Sequence, residues 1–285
     1  MVRAALMQAH GWAESDIEIV VVRTTGDKVQ DRALAEIGGK ALWTKELDRA
    51  LLDGEIDIAV HSMKDVETIR PTSIAIAAML ERADVRDRII GADSVEALPQ
   101  GARMGTSSPR RAAQLKYLRP DLKIGLFRGN VATRLAKLEA GEADATMLAA
   151  AGLERLGQHD VGSAVPIEVM LPAPAQGAVG IECRAEDDAT RALLSAIDHA
   201  PTSRCVRAER ALLAALGADC HSPVAALARE AGDRVTMRAA LYAEDGSERI
   251  EGAGDAAIGD TGFAEALARD LLNLATPAIR RLFAA

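Results

Sequence analysis

Aromatic residues are nearly missing: two tryptophans, two tyrosines and three phenylalanines in 285 residues. Stacking platforms for nucleic-acid bases are therefore almost absent. A basic surplus is missing too. With 34 Lys and Arg against 42 Asp and Glu, the net charge of −8 speaks against a nucleic-acid partner, which needs a basic face. No apolar run approaches the ~18 residues of a membrane span, so no membrane partner is read. The opening MVRAALMQAHGW lacks a basic stretch followed by an apolar one and a cleavage site, so no secretory signal is read. Cysteine is scarce. Cys183, Cys205 and Cys220 form no CxxC pair, which argues against a disulfide framework and a zinc site. The histidines show no metal spacing, and no metal is assigned. A reducing, cytoplasmic setting is the expectation.

What is there is a chain 49% hydrophobic, enough to fill a core, and long enough for two domains at about 150 residues each, with one or three possible. The first two-thirds alternates apolar runs with helical patterns. Strands are expected at Ile17–Arg23, Ile56–His61, Ile74–Leu80, Arg103–Gly105, Lys123–Phe127, Ala143–Leu148 and Val179–Glu182, with helices at Leu42–Leu52, Pro109–Leu118, Val131–Glu139 and Ala150–Leu156. That order implies βαβ units on a largely parallel sheet. The last third differs. A helix over Thr202–Leu216 stops at Gly217, and Val224–Arg229, Val235–Tyr242 and Glu248–Gly252 read as strands. The last two flank the turn Glu244–Ser247, and a final helix spans Gly262–Leu282 with a disturbance at Pro277. A small α+β domain is expected there. A helix pattern over Val2–Gly11 opens the chain with no strand before it, one element later than a parallel α/β unit begins.

Several segments carry chemistry. IDIAVHSMK followed by Asp65 places Lys64 and Asp65 beyond the carboxyl end of a strand, where open α/β sheets bind ligands. A carboxylate there can face a cationic intermediate, although an ordinary polar loop with an incidental ion pair fits as well. GTSSPRR opens a helix with Thr106, Ser107, Ser108, Arg110 and Arg111. Hydroxyls, free helix N–H groups and guanidinium forks converge there into an anion site, or the segment is a capped helix with solvated arginines. FRGNVATR adds Arg128 and Arg134, and AAAGLERLG adds Arg155. Repetition of arginine at one topological edge of an acidic protein points to a polyanionic small molecule, with a solvated face as the plainer alternative. Gly38-Gly39-Lys40 lacks Walker spacing. PAPAQGAVGIEC reads as a crossing between domains that returns to a strand, and Cys183 and Cys205 read as core. Cys220 sits in a loop between Asp219 and His221, where a thiol is either inert or an accessible nucleophile or attachment point.

Together, RTTGD, IGGKALWTKEL, AVHSMKDV, ERADVRD, GTSSPRRAAQL, LFRGNVATRL, AAAGLERLG, LPAPAQGAVGIECR and ERALLAALGADCHSPVAALA resemble, in order and spacing, the porphobilinogen deaminase (hydroxymethylbilane synthase) family. The resemblance runs from about Val2 to the C-terminus. It implies two periplasmic-binding-protein-like α/β domains plus a small C-terminal α+β domain. Their expected limits are 1–80 with 178–197, 84–173, and 200–285. It implies a transferase of tetrapyrrole (heme) biosynthesis, monomeric and cytoplasmic. Such an enzyme joins four porphobilinogen units head to tail, releasing ammonia, on a dipyrromethane cofactor held by a thioether. Carried over by residue, Cys220 is the attachment cysteine and Asp65 the catalytic carboxylate. Arg110, Arg111, Arg128, Arg134 and Arg155 hold acetate and propionate groups, and Lys64, Ser62, Thr106, Ser107, Ser108, Lys40 and Gln176 contact cofactor or substrate. The family's opening strand and turn, resembling TRxSPLA, has no counterpart here, so the first sheet is expected to lack a strand and the site an anion contact. Glu67 stands where proline is usual, Ala218-Asp219 where a second glycine is common, and His221-Ser222 varies the usual pair. Two other readings stay open: an inactive, N-terminally truncated deaminase, and a two-domain solute-binding protein for a polyanion.

Overall fold

The computed structural model describes residues 1–22, 44–260 and 262–283. Lys40 and the 26–42 loop lie outside the described residues. In chain order the elements are α1 (Val2–His10), α2 (Lys45–Leu52), β1 (Ala59–Ser62), β2 (Ile74–Met79), β3 (Asp87–Ile90), β4 (Arg103–Gly105), α3 (Pro109–Leu118), β5 (Lys123–Gly125), α4 (Val131–Glu139), β6 (Ala145–Ala149), α5 (Ala150–Arg155), β7 (Ser163–Ala164), β8 (Val179–Arg184), α6 (Asp188–Ser195), α7 (Ala200–Ala215), β9 (Val224–Ala231), β10 (Arg234–Tyr242), β11 (Arg249–Ala257), α8 (Gly262–Leu274) and α9 (Pro277–Arg280).

They form three sheets, ordered β1-β8-β2, β5-β4-β6-β3-β7 and β11-β10-β9. In the second, β4 runs parallel to β5 and β6 as expected, while β3 is antiparallel to β6 and β7. In the first, β8 is antiparallel to both neighbours. The largely parallel reading is thus corrected at β3 and β8. Each follows a crossing between the first two sheets, so each enters its sheet from the opposite end. The third sheet is the expected meander. Its core joins Leu212 and Leu216 to Met237, Leu241, Leu267 and Leu271. Cys183 and Cys205 are buried, as read.

Two other expectations change. Residues 17–22 form no ladder, and Ile19, Val20 and Val21 are exposed. A short apolar run makes a strand only where a neighbour accepts its backbone groups, and the first sheet pairs only β1, β8 and β2 among the described residues. The C-terminal helix divides. α8 stops at Leu274, and α9 restarts at Pro277 behind Thr276, whose side chain accepts from the Ile279 N–H. Proline lacks the N–H that would continue α8 but suits a first helical position.

The two crossings meet. The Ala83 N–H donates to Gly177 O at 3.2 Å, and Arg82 Nε to Gln176 O at 2.9 Å. Glu209 of α7 reaches both: its carboxylate accepts from Arg82 Nη1 (2.8 Å) and Nη2 (3.0 Å), from the Ala175 N–H (2.5 Å), and from the Ala228 N–H on β9 (2.7 Å). Ala175 is held there at φ 62, a left-handed conformation costly for a residue with a Cβ.

Candidate active site

β1 ends in His-Ser-Met-Lys-Asp, and a 3-10 turn over Met63–Asp65 carries the chain out of the sheet. Met63 is buried against β8. A Cβ on Gly180 would lie 2.0 Å from its sulfur, so only glycine lets the turn sit this close. Packing therefore aims Lys64 and Asp65 outward. Arg210 on α7 clasps the chain just beyond, donating to the carbonyls of Val66 (3.3 Å), Glu67 (2.6 Å) and Thr68 (3.0 Å). Glu67, the departure from the family pattern, accepts from Arg70 Nη1 at 2.8 Å and from Thr44 Oγ1. Arg70 also binds Asp48 and Glu182. The turn bearing Asp65 is thus fastened from α2, α7 and β8.

Across the cleft, the start of α3 forms as its sequence predicts. Ser108 caps the helix, its side chain accepting from the Arg111 N–H, and Pro109 follows at the first helical position. Thr106 Oγ1 accepts from the Ser108 N–H. Arg110 and Arg111 do not fan into solvent. Both are buried around Asp87 of β3. Arg110 Nη1 lies 2.8 Å from one carboxylate oxygen, Arg111 Nη2 2.7 Å from the other, and Gln176 Nε2 donates to Asp87 at 2.9 Å. Burial pushes the Asp87 carboxyl up, but the adjacent Arg110 and Arg111 charges hold it well below the carboxylate range. Arg111 Nη1 donates to Met147 O and Arg110 Nη1 to Leu171 O, while Arg110 Nε is buried without a partner. Burial, together with the nearby Arg110 and Arg111, lowers the Lys64 ammonium pKa.

Arg134 projects from α4 with Nε on Gly129 O (2.9 Å) and Nη2 on Ser107 Oγ (3.3 Å). Burial and the Arg111 charge bring it down to about 10, and Asp65 opposes that fall. Arg128 is buried at the end of the same β5–α4 connection. Arg155 is exposed on α5 and donates to Gly177 O at 2.9 Å.

Cys220 closes the ring. It is exposed, in the loop between α7 and β9, and Thr68 ties that loop to the Asp65 segment through Ala218 O at 2.8 Å. A small pocket, open to solvent, is lined by Lys64, Arg110, Arg210 and Cys220 together with Pro174 and Val224. The cysteine therefore shares one wall system with three cations drawn from three separate parts of the chain. Asp219, Cys220 and His221 also bring donor atoms within 4.8 Å of one another, a grouping not read from the sequence. Asp87, Glu209 and Arg210 were missed as well. Arg210 and Glu209 carried one usable signal, an adjacent charged pair between the apolar Val206 and Leu212 of the helix.

The family profile described as porphobilinogen deaminase, dipyromethane cofactor binding domain matches residues 1–192, and that described as porphobilinogen deaminase, C-terminal domain matches residues 203–273. The chain belongs to the porphobilinogen deaminase family. A porphobilinogen deaminase of Sphingopyxis alaskensis is 61% identical over 290 residues, covering 100% of this chain and 91% of that protein. One of Paracoccus denitrificans is 52% identical over 273 residues, covering 93% and 87%. Among solved structures, a Bordetella pertussis BvgS VFT2 domain has a TM-score of 0.39 at 16% identity, covering 69% of this chain and 75% of that one. An ancestral arginine-binding protein bound to arginine scores 0.36 at 13%, covering 69% and 78%. These likenesses are loose, and the architecture rests on the strand orders above. Among the described residues, no helix is long and apolar enough to cross a membrane.

Proposed function

We propose that this chain joins four porphobilinogen molecules head to tail, with loss of ammonia, to give hydroxymethylbilane, working as a cytoplasmic monomer with three domains at 1–80 with 178–197, 84–173 and 200–285. The observation that carries the reading is the exposed Cys220 on the wall of a pocket with Lys64, Arg110 and Arg210. A dipyrromethane held as a thioether at Cys220 fits that donor set. Its carboxylates would meet Lys64, Arg210 and the unpartnered Nε of Arg110, pairings that are charge-assisted and, for arginine, forked. When bound, the dipyrromethane supplies the pyrrole carbon that is extended.

The remaining tasks fall to side chains. Asp65 presents a carboxylate to pyrrole N–H groups and offsets the positive charge that develops on them, an effect enlarged in a site with little water. Arg128, Arg134 and Arg155 hold acetate and propionate groups of incoming substrate. Ser62, Thr106, Ser107, Ser108, Lys40, Arg111 and Gln176 complete the contacts, Arg111 and Gln176 acting through Asp87, which they hold in place. A solute-binding protein built on the same cleft would leave Cys220 without a task.

Denatured intact mass with peptide mapping tests this. The expected excess is two porphobilinogens less two ammonias, on the peptide holding Cys220. A chain that stays at its bare mass after incubation with porphobilinogen would instead favour an inactive member of the family that does not take up its primer.

A further inference from the structure

The function proposed above names Cys220 as the sulfur that is modified but not what makes it reactive. Cys220 Sγ lies 3.6 Å from His221 Nδ1, and the same nitrogen lies 3.4 Å from Asp219 Oδ1. Asp219 is itself fixed. Its carboxylate accepts from the His221 backbone N–H at 2.8 Å, and its own N–H donates to Ser222 Oγ at 3.1 Å. One ring N–H therefore faces a carboxylate and a sulfur together. The remaining charged groups lining the pocket are Lys64 from the turn after β1, Arg110 from α3 and Arg210 from α7, all cationic.

We propose that His221, oriented by Asp219, holds the Cys220 sulfur as a thiolate and so drives formation of the thioether that primes the enzyme, an inference that rests on the deaminase reading above. The imidazole is suited to this. Its hydrogen bonds to Asp219 and Cys220 push it up to about 10 against the opposing effect of burial, so it is an imidazolium at neutral pH. A cation beside a sulfur favours the nucleophilic thiolate. The amino group of porphobilinogen's aminomethyl substituent leaves as ammonia, taking the ring N–H proton and giving an azafulvene whose retained exocyclic methylene is electrophilic. The thiolate attacks that carbon and an S–C bond forms. The proton taken from the thiol, held on His221, passes to the ring nitrogen, which regains its pyrrole N–H. Thiol plus porphobilinogen thus gives thioether plus ammonia, with no change of oxidation state.

The test uses the full-length chain produced in cells without a porphobilinogen supply, so that the thiol is free. Iodoacetamide labelling of Cys220 is followed against pH for wild type, His221→Gln and Asp219→Asn. In His221→Gln the midpoint should rise, and labelling at pH 7 should slow about tenfold. Asp219→Asn should shift the same way by less. After addition of porphobilinogen, the mass gain at Cys220 in His221→Gln should slow by a similar factor. Unchanged labelling midpoints and unchanged priming rates in both variants would overturn the role of His221 while leaving the deaminase reading intact. A wild-type chain that gains no adduct from porphobilinogen would overturn both.

Discussion

The two walls of the cleft handle charge in opposite ways. On the α3 side, Arg110 and Arg111 are buried around the internal counter-ion Asp87, with Gln176 from the second crossing completing the shell. On the Cys220 side, the acid, the imidazole and the thiol sit in a loop reached by solvent. Buried ions persist only when paired and hydrogen-bonded, so the first wall is fixed at all pH values near neutrality and serves as a frame. The second wall keeps groups that can change protonation. Covalent chemistry at Cys220 needs that freedom, and binding of many carboxylates needs the frame.

Breaking the frame should have the largest effect. Asp87→Asn leaves two buried guanidinium groups facing a neutral amide. Removing one partner of such a cluster typically costs about 3–5 kcal/mol. Urea unfolding should show a loss of that order, and a loss under about 1 kcal/mol would mean that the arginines find solvent and the frame is not a frame. Cys220→Ser, changed on the other wall, should leave the unfolding midpoint within about 0.5 kcal/mol of wild type, as exposed substitutions usually do.

The Asp65 carboxylate tests what lies between the walls. Its segment is held by Arg210 and by the Glu67–Arg70 pairing, so Asp65→Asn should fold normally. If the carboxylate offsets charge on pyrrole nitrogens, turnover should fall by about 10²–10³, the scale of a lost preorganised electrostatic contact. Turnover within a few-fold of wild type, measured on protein shown by mass to be primed, would remove Asp65 from the chemistry.

The two walls were also unequally legible in the sequence. Ser108, Pro109 and Asn130 announce their helix starts through local cap chemistry, and α3 and α4 begin where those residues place them. Cys220 stands out because a loop thiol is rare. Asp87 carries no such local mark. Its meaning comes from Arg110, Arg111 and Gln176, which reach it across 23, 24 and 89 residues of sequence, and only the fold brings them together. The same holds for Glu209, whose partners lie on both crossings and on β9. The strand expected at Ile17–Arg23 erred in the other direction over its described residues, 17–22. Its apolar run satisfied a local rule, but a strand depends on a neighbour that no local pattern reports. α6 was passed over although Asp187 caps it through Thr190, because a run of acids beside a strand reads equally well as a loop.

The smallest expected effect separates the walls by pH. Asp87 is held below its ordinary value, so its contribution is present above about pH 4 and is lost as pH falls through the folded value. His221 is raised from 6.5 to about 10, so the sign reverses. Its contribution is complete below about pH 6.5 and is lost as pH climbs towards 10. Because His221 is partly exposed, that contribution should stay within about 1 kcal/mol. In unprimed protein, His221→Gln should therefore be slightly less stable than wild type at pH 6 and indistinguishable from it at pH 10, by urea midpoint. A gap of equal size at both values would assign the difference to packing rather than to the imidazolium. A gap that opened at alkaline pH would mean that the ring is neutral beside Asp219, and that the second wall carries no more titratable chemistry than the first.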